Sequence, residues 1–251
     1  MRYLKELDKK DWKKVTYDLH IHSCLSPCGD EDMTPANIVG MAVIKELDVI
    51  ALTNHNTCKN CPAFLKVAKQ YGITAIPGME LTTKEEVHVV CLFEQLEDAM
   101  HFDAYVYERL LNVKNREDIF GKQSIINEED IVVGKVEKLL INATDISFDE
   151  VYDLMEEYHG VMIPAHIDKS TTSLLSNLGF IPPDSRFRVV ELKDLKKLHQ
   201  LQENNPYLKE CMIITSSDAH YLPDIHEPVH TMLVPNLSVS GVIVALKTAY
   251  N

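Results

Sequence analysis

The chain repeats one pattern over most of its length: a short apolar run, a polar motif, and then an amphipathic stretch of helical length. The apolar runs cover residues 15–22, 49–53, 73–81, 87–93, 161–166, 189–192, 212–216 and 231–234. Short apolar runs bounded by turn signals predict strands, and strands that alternate with helices predict a parallel sheet or barrel. The pattern therefore predicts an α/β fold built on parallel strands.

Helix signals separate the predicted strands. Thr34 followed by Pro35 predicts a helix N-terminus, because Thr is a good N-cap and Pro suits the first helical position. Ser147 and Glu150 have the spacing of a capping box, which predicts another helix start. A last helix is predicted over residues 238–250. These helices would cover the outside of the sheet.

Residues 96–143 depart from the pattern. The segment is charged, shows no clear strand, and predicts a helix, an irregular loop and a second helix. We expect a mainly helical insertion on the barrel that could act as a lid. A length of 251 residues suits one α/β barrel, so residues 1–251 are expected to form a single domain.

The motif Asp18-Leu-His-Ile-His22 ends the first predicted strand. Alternate residues of a strand face the same side, so His20 and His22 should point together while Ile21 faces the helices. Two adjacent imidazoles form half of a metal site. The alternative is a pair of hydrogen-bonded core histidines, and the remaining motifs favour the metal site.

Those remaining motifs also stand at the ends of predicted strands. The carboxyl ends of barrel strands converge on one face, where active sites form. Eight candidate metal ligands are thereby expected in one pocket: His20, His22, His55, Glu80, His88, His166, Asp218 and His220. One histidine after a strand would mean little, but this recurrence predicts a metal centre.

The ligand types predict which ions would bind. Imidazole and carboxylate groups suit Zn, Mn or Fe, and eight ligands exceed the four that one tetrahedral ion takes. We therefore expect two or three divalent ions, with Glu80 bridging two of them. Such a pair of ions stabilises phosphoryl displacement and ionises water to hydroxide, the expected nucleophile. Glu80, Asp218 and His220 are the expected catalytic residues.

Six short motifs together resemble those of the PHP (polymerase and histidinol phosphatase) family. They are Asp-Leu-His-Ile-His-Ser at 18–23, Thr-Asn-His-Asn-Thr at 53–57, Gly-Met-Glu at 78–80, Val-His-Val at 87–89, Pro-Ala-His at 164–166 and Ser-Asp-Ala-His at 217–220. The resemblance implies a distorted (β/α)7 barrel with three metal ions and phosphoesterase activity.

The resemblance also implies how the ligands are shared. The first ion would be held by His20, His22, Glu80 and Asp218, the second by Glu80, His88 and His166, and the third by His55 and His220. Many members have a further histidine where this chain has Cys28, with Asp30 close by. Cys28 or Asp30 would complete the third site, or that site would be weak or empty.

Two other features depart from simple expectation. Asn54 stands where the family usually has Asp, and an amide lacks the charge that would strengthen a histidine ligand.

Four cysteines lie in loops near the histidine motifs, namely Cys24, Cys28, Cys58 and Cys61. They predict either free thiols or, less simply, a structural zinc site.

Charge and hydropathy limit the partners. The net charge is −13 and no dense run of Lys and Arg is present, which argues against a long nucleic-acid groove. A small phosphorylated substrate, including a nucleotide or a short oligonucleotide, remains compatible, and no stable protein partner is implied. Lys169, just after His166, is a candidate phosphate contact, with ordinary surface charge as the alternative.

We therefore expect a metal-dependent hydrolase of phosphomonoesters or phosphodiesters. Histidinol-phosphate phosphatase is an alternative within that class, and an amidohydrolase-like C–N hydrolase is an alternative outside it. A regulatory metal-binding protein without catalysis is a third. The charged first fourteen residues do not read as a signal peptide, and no apolar run is long enough to cross a bilayer. A cytoplasmic protein with no membrane contact is expected.

Overall fold

A computed structural model describes residues 9–248. Its strands are β1 (Lys13–Ile21), β2 (Val49–Leu52), β3 (Thr74–Thr82), β4 (His88–Phe93), β5 (Ser124–Ile126), β6 (Val132–Lys135), β7 (Gly160–Pro164), β8 (Val189–Glu191), β9 (Met212–Ile214) and β10 (Thr231–Val234). Its helices are α1 (Pro35–Ile44), α2 (Cys61–Tyr71), α3 (Leu96–Arg109), α4 (Glu117–Phe120), α5 (Phe148–Glu157), α6 (Leu174–Asn177), α7 (Leu198–Asn204) and α8 (Val239–Lys247).

The main sheet has the strand order β10-β1-β2-β3-β4-β7. The α/β fold is confirmed, but the prediction of parallel strands throughout is wrong. Strands β1, β2 and β3 are parallel, whereas β4 is antiparallel to both β3 and β7, and β10 is antiparallel to β1. Only residues 83–87 join β3 to β4. A parallel pair needs a crossover of about a dozen residues, so this short connection dictates a hairpin.

The main sheet curls, and the parallel pair β8-β9 lies between its two ends. The backbone N–H of Ile167, just after β7, donates to the carbonyl of Glu191 in β8 at 2.9 Å. On the other side, His22 N–H donates to the carbonyl of Ala219 after β9, also at 2.9 Å. These hydrogen bonds bring the carboxyl ends of the strands around one space.

Two apolar cores lie on the two faces of the curled sheet. Leu19, Ile76 and Leu92 belong to the inner core, which Val242 and Leu246 of α8 complete. The outer core joins the sheet to the helices and contains Ile21, Val39, Phe64, Phe102 and Phe148. Ile21 faces the helices as predicted, since it packs in that outer core.

The helix starts agree with the sequence signals. Thr34 caps α1 by accepting a hydrogen bond from Asn37 N–H at 3.2 Å, with Pro35 at the first position. Ser147 and Glu150 form the capping box of α5. The last helix ends at Lys247, and the predicted residues beyond 248 lie outside the described part of the chain.

The insertion differs from its prediction. Its first half is the helix α3, but its second half contains the antiparallel hairpin β5-β6 instead of a second long helix. Asn127 starts the hairpin turn, because its side-chain oxygen accepts hydrogen bonds from the N–H groups of Glu129 and Ile131. The β-branched runs on either side of this turn, residues 124–126 and 131–133, were the overlooked signal.

No helix in the described range 9–248 has the length and apolar character needed to cross a bilayer.

We predict that Gly78→Ala destabilises the protein. An added Cβ would lie 2.8 Å from the carbonyl oxygen of Cys91 and 2.7 Å from Leu92 Cδ2, in the middle of the β3-β4 pair. The expected loss in the free energy of unfolding is about 1–3 kcal/mol, the usual result of overpacking. Urea unfolding with a chelator present measures it without interference from metal binding.

The matched control is Gly40→Ala. A Cβ at Gly40, inside α1, would meet no atom within 4 Å. Ala is the better helix former, so this variant should gain about 0.5–1 kcal/mol. Equal stability of the Gly78 variant and the unmodified protein would show that β3 and β4 are not packed as described.

Candidate metal centre

The eight predicted ligands lie together along one edge of the curled sheet, which is the carboxyl end of the parallel strands and the amino end of antiparallel β4, where His88 is the first residue. Glu80, in β3, is at their centre, with its side chain 1% exposed. Its Oε1 lies 2.8 Å from His88 Nδ1, 3.1 Å from His166 Nε2 and 3.3 Å from His20 Nε2. Its Oε2 lies 3.2 Å from His22 Nε2 and 3.0 Å from His55 Nδ1. One carboxylate therefore touches five imidazoles.

Asp218 and His220 border the cluster on one side. Asp218 Oδ1 lies 3.4 Å from His20 Nε2 and 3.3 Å from His22 Nε2. The His220 ring stacks on that of His22, with centroids 4.2 Å apart, and lies 6.0 Å from His55. The His220 side chain is 22% exposed, so the pocket opens near this residue.

Three groups of these ligand atoms are compact enough to hold an ion each. They are His20, His22, Glu80 and Asp218; His55, Glu80 and His88; and His22, His55 and His220. The first group has the membership expected for the first ion. The second group contains His55 in the place expected for His166, which instead contacts Glu80 directly. Glu80 belongs to two groups, in keeping with a bridging role.

Several contacts in the cluster require either a proton or a metal cation between the two atoms. The Nε2 atoms of His20 and His22 lie only 3.2 Å apart. His55 Nδ1 and Glu80 Oε2 are buried 3.0 Å apart, yet neither makes a hydrogen bond. Nitrogen and oxygen lone pairs that converge in this way fit divalent ions. The residues present therefore suit the metals that the sequence predicts.

The outer nitrogens of three histidines have hydrogen-bond partners. His20 Nδ1 lies 3.0 Å from a Glu191 oxygen, and His220 Nδ1 lies 2.8 Å from the Asp218 carbonyl oxygen. These oxygens only accept hydrogen bonds, so in the neutral rings Nδ1 carries the proton and Nε2 offers its lone pair. His22 Nδ1 lies 2.9 Å from Ser26 Oγ. Metal-binding histidines are typically oriented by such partners.

The two carboxylates of the cluster are held in their charged forms. Burial by itself would raise the pKa of Glu80, but the imidazoles of His88, His20 and His55 bring it well below its ordinary range. Burial acts in the same direction on Asp218, and the neighbouring His20 lowers the pKa of that carboxyl below its ordinary range. Both groups are therefore ionised at neutral pH and attract cations.

The clustered histidines whose pKa is shifted divide into two kinds, according to the direction of the shift. Burial alone would lower the pKa of His20, His22 and His55, but the neighbouring carboxylates raise it above its ordinary value in all three. Burial lowers the pKa of His88, and it lowers that of His220 to about 3. Without metal ions, the neighbouring carboxylates therefore favour the protonated form of the first three rings.

Neither candidate for completing the third site lies in a group that could hold an ion. The carboxylate of Asp30 accepts a hydrogen bond from Asp32 N–H at 2.9 Å and so serves its own loop. The Cys28 thiol is exposed but within hydrogen-bonding reach of the His55 ring. Cys28 is thus the better placed of the two, and its ligand role stays a prediction.

The four loop cysteines do not come together. Cys58 and Cys61 are buried, and their Sγ atoms point to the carbonyl oxygen of Gly78 at 3.2 and 3.6 Å. Cys24 is partly exposed and Cys28 is exposed. Within residues 9–248 no group of potential metal ligands contains a cysteine, so the prediction of free thiols is the better one.

Lys169 lies at the mouth of the pocket. Its Nζ is 2.6 Å from Asp218 Oδ2, and its side chain is 38% exposed. Burial alone would lower the pKa of Lys169, but Asp218 raises it, so the ammonium is charged. A phosphate at the metal centre would meet this group.

Sequence reasoning missed Glu191. This carboxylate, at the end of β8, is 1% exposed, and both of its oxygens lie within 3.1 Å of His20 Nδ1. It also accepts a hydrogen bond from His166 N–H at 3.2 Å. The only available signal was a lone acid at the end of an apolar run, and no motif marks it.

Asn54 orients a ligand indirectly. Its Oδ1 accepts hydrogen bonds from Ser23 N–H at 2.7 Å and from Ser26 Oγ at 3.1 Å. Ser26 in turn contacts His22, so the amide acts through a serine and does not touch the imidazole. An uncharged acceptor suffices for this arrangement.

The loops that carry His166 and Asp218 have unusual backbone conformations. His166 has φ 30° and Asp218 has φ 54°, in the left-handed region that most side chains avoid. Buried Asp18 helps to hold the second loop, because its carboxylate accepts hydrogen bonds from the N–H groups of Ser217 and His226, both at 3.0 Å. Strained residues of this kind cluster at functional sites.

We predict that Glu191→Gln weakens metal binding. The amide keeps the shape of the side chain but removes the charge that faces His20 Nδ1. Loss of such an orienting partner typically costs about 10–100-fold in metal affinity. Competition with a chromophoric chelator measures it. Glu227→Gln is the control, since Glu227 is 68% exposed and pairs with Lys45. Equal affinity in both variants would exclude the orienting role.

The chain is similar in sequence to a known domain family and to two known proteins. A family model for the PHP domain matches residues 18–167. The 5'-3' exoribonuclease Rnm of Salmonella typhimurium is 35% identical over 83 residues, which are 31% of this chain and 27% of that protein. An uncharacterized protein of Methanocaldococcus jannaschii is 34% identical over 76 residues, 27% of this chain and 44% of that protein. The chain thus matches less than half the length of either relative.

Two solved structures have a similar fold. The lesion-specific endonuclease PfuEndoQ of Pyrococcus furiosus matches with a TM-score of 0.67 and 18% identity, over 94% of this chain and 56% of that one. A Bifidobacterium adolescentis protein, provisionally described as a metal-dependent phosphoesterase, matches with a TM-score of 0.57 and 17% identity, over 91% and 95% of the two chains. The family match covers more than half of the chain and encloses five of its six clustered histidines, and the chain belongs to the PHP domain family.

Proposed function

We propose that this PHP-domain protein hydrolyses phosphate esters with two or three divalent ions held around Glu80. The observation that carries the proposal is the contact of one buried carboxylate with five imidazoles, beside a second ionised carboxylate, Asp218. This donor set suits Zn, Mn or Fe. Nucleotides or oligonucleotide ends are the proposed substrates, and the similarity to an exoribonuclease and to an endonuclease supports that choice.

Each part of the cluster has a proposed task. The group of His20, His22, Glu80 and Asp218 would hold one ion, Glu80 with His88 and His166 or His55 a second, and His55 with His220 a third. When bound, such ions polarise a phosphoryl oxygen and make water more acidic.

The protein supplies orientation and proton control around these ions. Glu191 and Ser26 fix the rings of His20 and His22. Burial lowers the pKa of His220 to about 3, so its ring is neutral at neutral pH. The single ring proton is on Nδ1, which donates to the Asp218 carbonyl, and Nε2 is therefore unprotonated. Lys169 at the mouth would hold a negatively charged phosphoryl oxygen. Glu80, Asp218 and His220 are therefore our proposed catalytic residues.

We further infer that the molecule is one distorted (β/α)7 barrel with the insertion at 96–143. The seven strands would be β1 to β4 and β7 to β9, with the cluster at the carboxyl ends of the parallel strands and at the amino end of antiparallel β4. The hydrogen bonds from Ile167 to Glu191 and from His22 to Ala219 support closure on both sides of β8-β9. Strand β10 would then be an addition to the edge of β1.

The C–N hydrolase alternative has weaker support. Amidohydrolase-type barrels often use a buried, carbamylated lysine, and the six motifs that carry the ligands contain no lysine. Lys169 is partly exposed and paired with Asp218. The choice between histidinol phosphate and other phosphomonoesters is left to a substrate panel.

We predict that Glu80→Ala abolishes activity and metal loading together. Protein stripped of metal and then supplied with Mn, Zn or Fe should hydrolyse p-nitrophenyl phosphate, bis-p-nitrophenyl phosphate or a short oligonucleotide. Removal of the central carboxylate should lower kcat/KM by about 100-fold or more, since it takes ligands from two ions. Glu203→Ala, on the exposed side of α7, is the control. Unchanged turnover and metal content in the Glu80 variant would refute the proposal.

We also predict how pH acts on the metal-free protein. The pKa of His20, His22 and His55 lies above the ordinary 6.5 in the folded state, so their stabilising effect is complete below 6.5 and declines as pH rises beyond it. The lowered pKa of Glu80 and Asp218 has the opposite effect. Their contribution to the free energy of unfolding is complete above the ordinary pKa, 4.5 for Glu80 and 3.8 for Asp218, and it declines as pH falls below that value.

The lowered pKa of His88 and His220 makes their contribution decline as pH falls below 6.5, so the metal-free protein should be most stable near pH 6.5. Metal binding must displace the protons on the three histidines, so metal affinity should keep rising above pH 6.5. Urea unfolding with and without chelator, and calorimetry in buffers of different ionisation enthalpy, measure the two effects. Metal binding without proton release would contradict the assignment of these ligands.

A further inference from the structure

We propose that Lys169, Lys193 and Lys197 form a phosphate-binding surface, here called the lysine rim, for a nucleic acid strand. Lys169 would contact the scissile phosphate, and Lys193 and Lys197 the phosphates that flank it. The inference rests on the proposed phosphoesterase function and adds a substrate class to it: an oligonucleotide with several phosphates in place of a lone phosphomonoester.

Buried Asp168 places two of these lysines beside the metal centre. Its side chain is 1% exposed and accepts hydrogen bonds from the N–H groups of Lys193 at 2.8 Å and Asp194 at 3.0 Å. Asp194 then caps the short 3-10 turn Leu195–Lys197 by accepting from Lys196 N–H at 3.0 Å. The turn after β8 is thereby fastened to the loop that follows His166.

The three ammonium groups border the loops that carry ligands. Lys169 Nζ lies 2.6 Å from Asp218 Oδ2. Lys193 Nζ donates to the carbonyl of Ser217, the residue before Asp218. Lys197 Nζ donates to the carbonyl of Asp168 at 3.1 Å. Each lysine is thus tied either to a proposed metal ligand or to a residue within two positions of one.

Charge is distributed unevenly around the mouth of the pocket. The loop after β1 reaches His220, since Asp30 N–H donates to its carbonyl at 2.9 Å, and this loop continues with acidic Glu31 and Asp32. Glu31 is 82% exposed and pairs with Lys122 at 3.2 Å, which within residues 9–248 leaves Asp32 as the uncompensated charge of these two acids. A polyanion would be repelled from the acidic loop and attracted to the lysine rim, which sets its path across the mouth.

Three cations exceed what a phosphomonoester needs. A monoester would place one phosphate at the metal centre, where Lys169 is the rim lysine that contacts a proposed ligand, Asp218. A nucleic acid strand carries a phosphate at every nucleotide, and lysine binds phosphate as a compact charge. Lys193 and Lys197 are exposed, so their ammonium groups can exchange a protein oxygen for a phosphate oxygen: the Ser217 carbonyl for Lys193, and the Asp168 carbonyl and carboxylate for Lys197. The rim therefore fits the flanking phosphates of a strand.

The test compares two double variants that remove the same charge. K193M/K197M removes the rim lysines that lie outside the proposed catalytic site. K69M/K247M is the control, because Lys69 and Lys247 are exposed in the last turns of α2 and α8. Both are assayed as metal-loaded enzymes on a ten-nucleotide single-stranded RNA and on bis-p-nitrophenyl phosphate, at several salt concentrations.

In K193M/K197M, KM for the RNA should rise about tenfold at low salt, and the slope of log(kcat/KM) against log salt should become shallower by about 1.4, or 0.7 for each lost contact. Activity on bis-p-nitrophenyl phosphate should stay within about twofold of the parent, as it carries one phosphate. K69M/K247M should match the parent on both substrates. K193R/K197R should restore most of the affinity for RNA.

Three results would overturn the inference. Equal losses on both substrates would show that the lysines only clamp the loops. An unchanged salt slope would show that they do not contact phosphates. A parent enzyme active on bis-p-nitrophenyl phosphate but not on RNA would remove the rim and leave the phosphoesterase proposal intact. Inactivity of the loaded parent on every phosphate ester would instead remove the proposed function itself.

Discussion

The buried carboxylate of Glu80 is the constraint around which the site is arranged. A charge in a protein interior is tolerated only when it is paired and hydrogen-bonded. Here the pairing comes from the rings of His20, His22, His55, His88 and His166, which are contributed by four different strand ends. The strands must therefore curl until these ends meet, and the cluster must take up either protons or metal cations to balance its charge.

The ligands could be predicted from sequence because each one is marked locally. Each lies at or near an end of an apolar run, and the geometry of strands brings such positions together whatever the details of the sheet. Strand direction was predicted wrongly, although the five residues 83–87 between β3 and β4 are too few for a parallel crossover. The hairpin in the insertion was missed because charge was weighed above its β-branched runs.

Residues that orient the ligands were beyond sequence reasoning. Glu191 faces His20 across 171 positions of the chain, and no local pattern distinguishes it from a surface acid at the end of a strand. Asn54 was noticed as a departure, but its action through Ser26 depends on where a loop hydroxyl lies after folding. Such partners are defined by contact, whereas the ligands are defined by position in a repeated pattern.

The same distinction explains how an acidic chain can hold a polyanion. The net charge of −13 and the absence of a basic run argued against a long nucleic-acid groove, but both are properties of the whole sequence. Exposed charges are largely screened beyond about 8–10 Å, so the nearest groups decide what a strand meets at the mouth of the pocket. Asp168 and the loops after β7 and β8 gather three lysines there from positions 169 to 197. Local charge is thus set by the fold, and the metal centre, itself cationic when loaded, would act in the same direction.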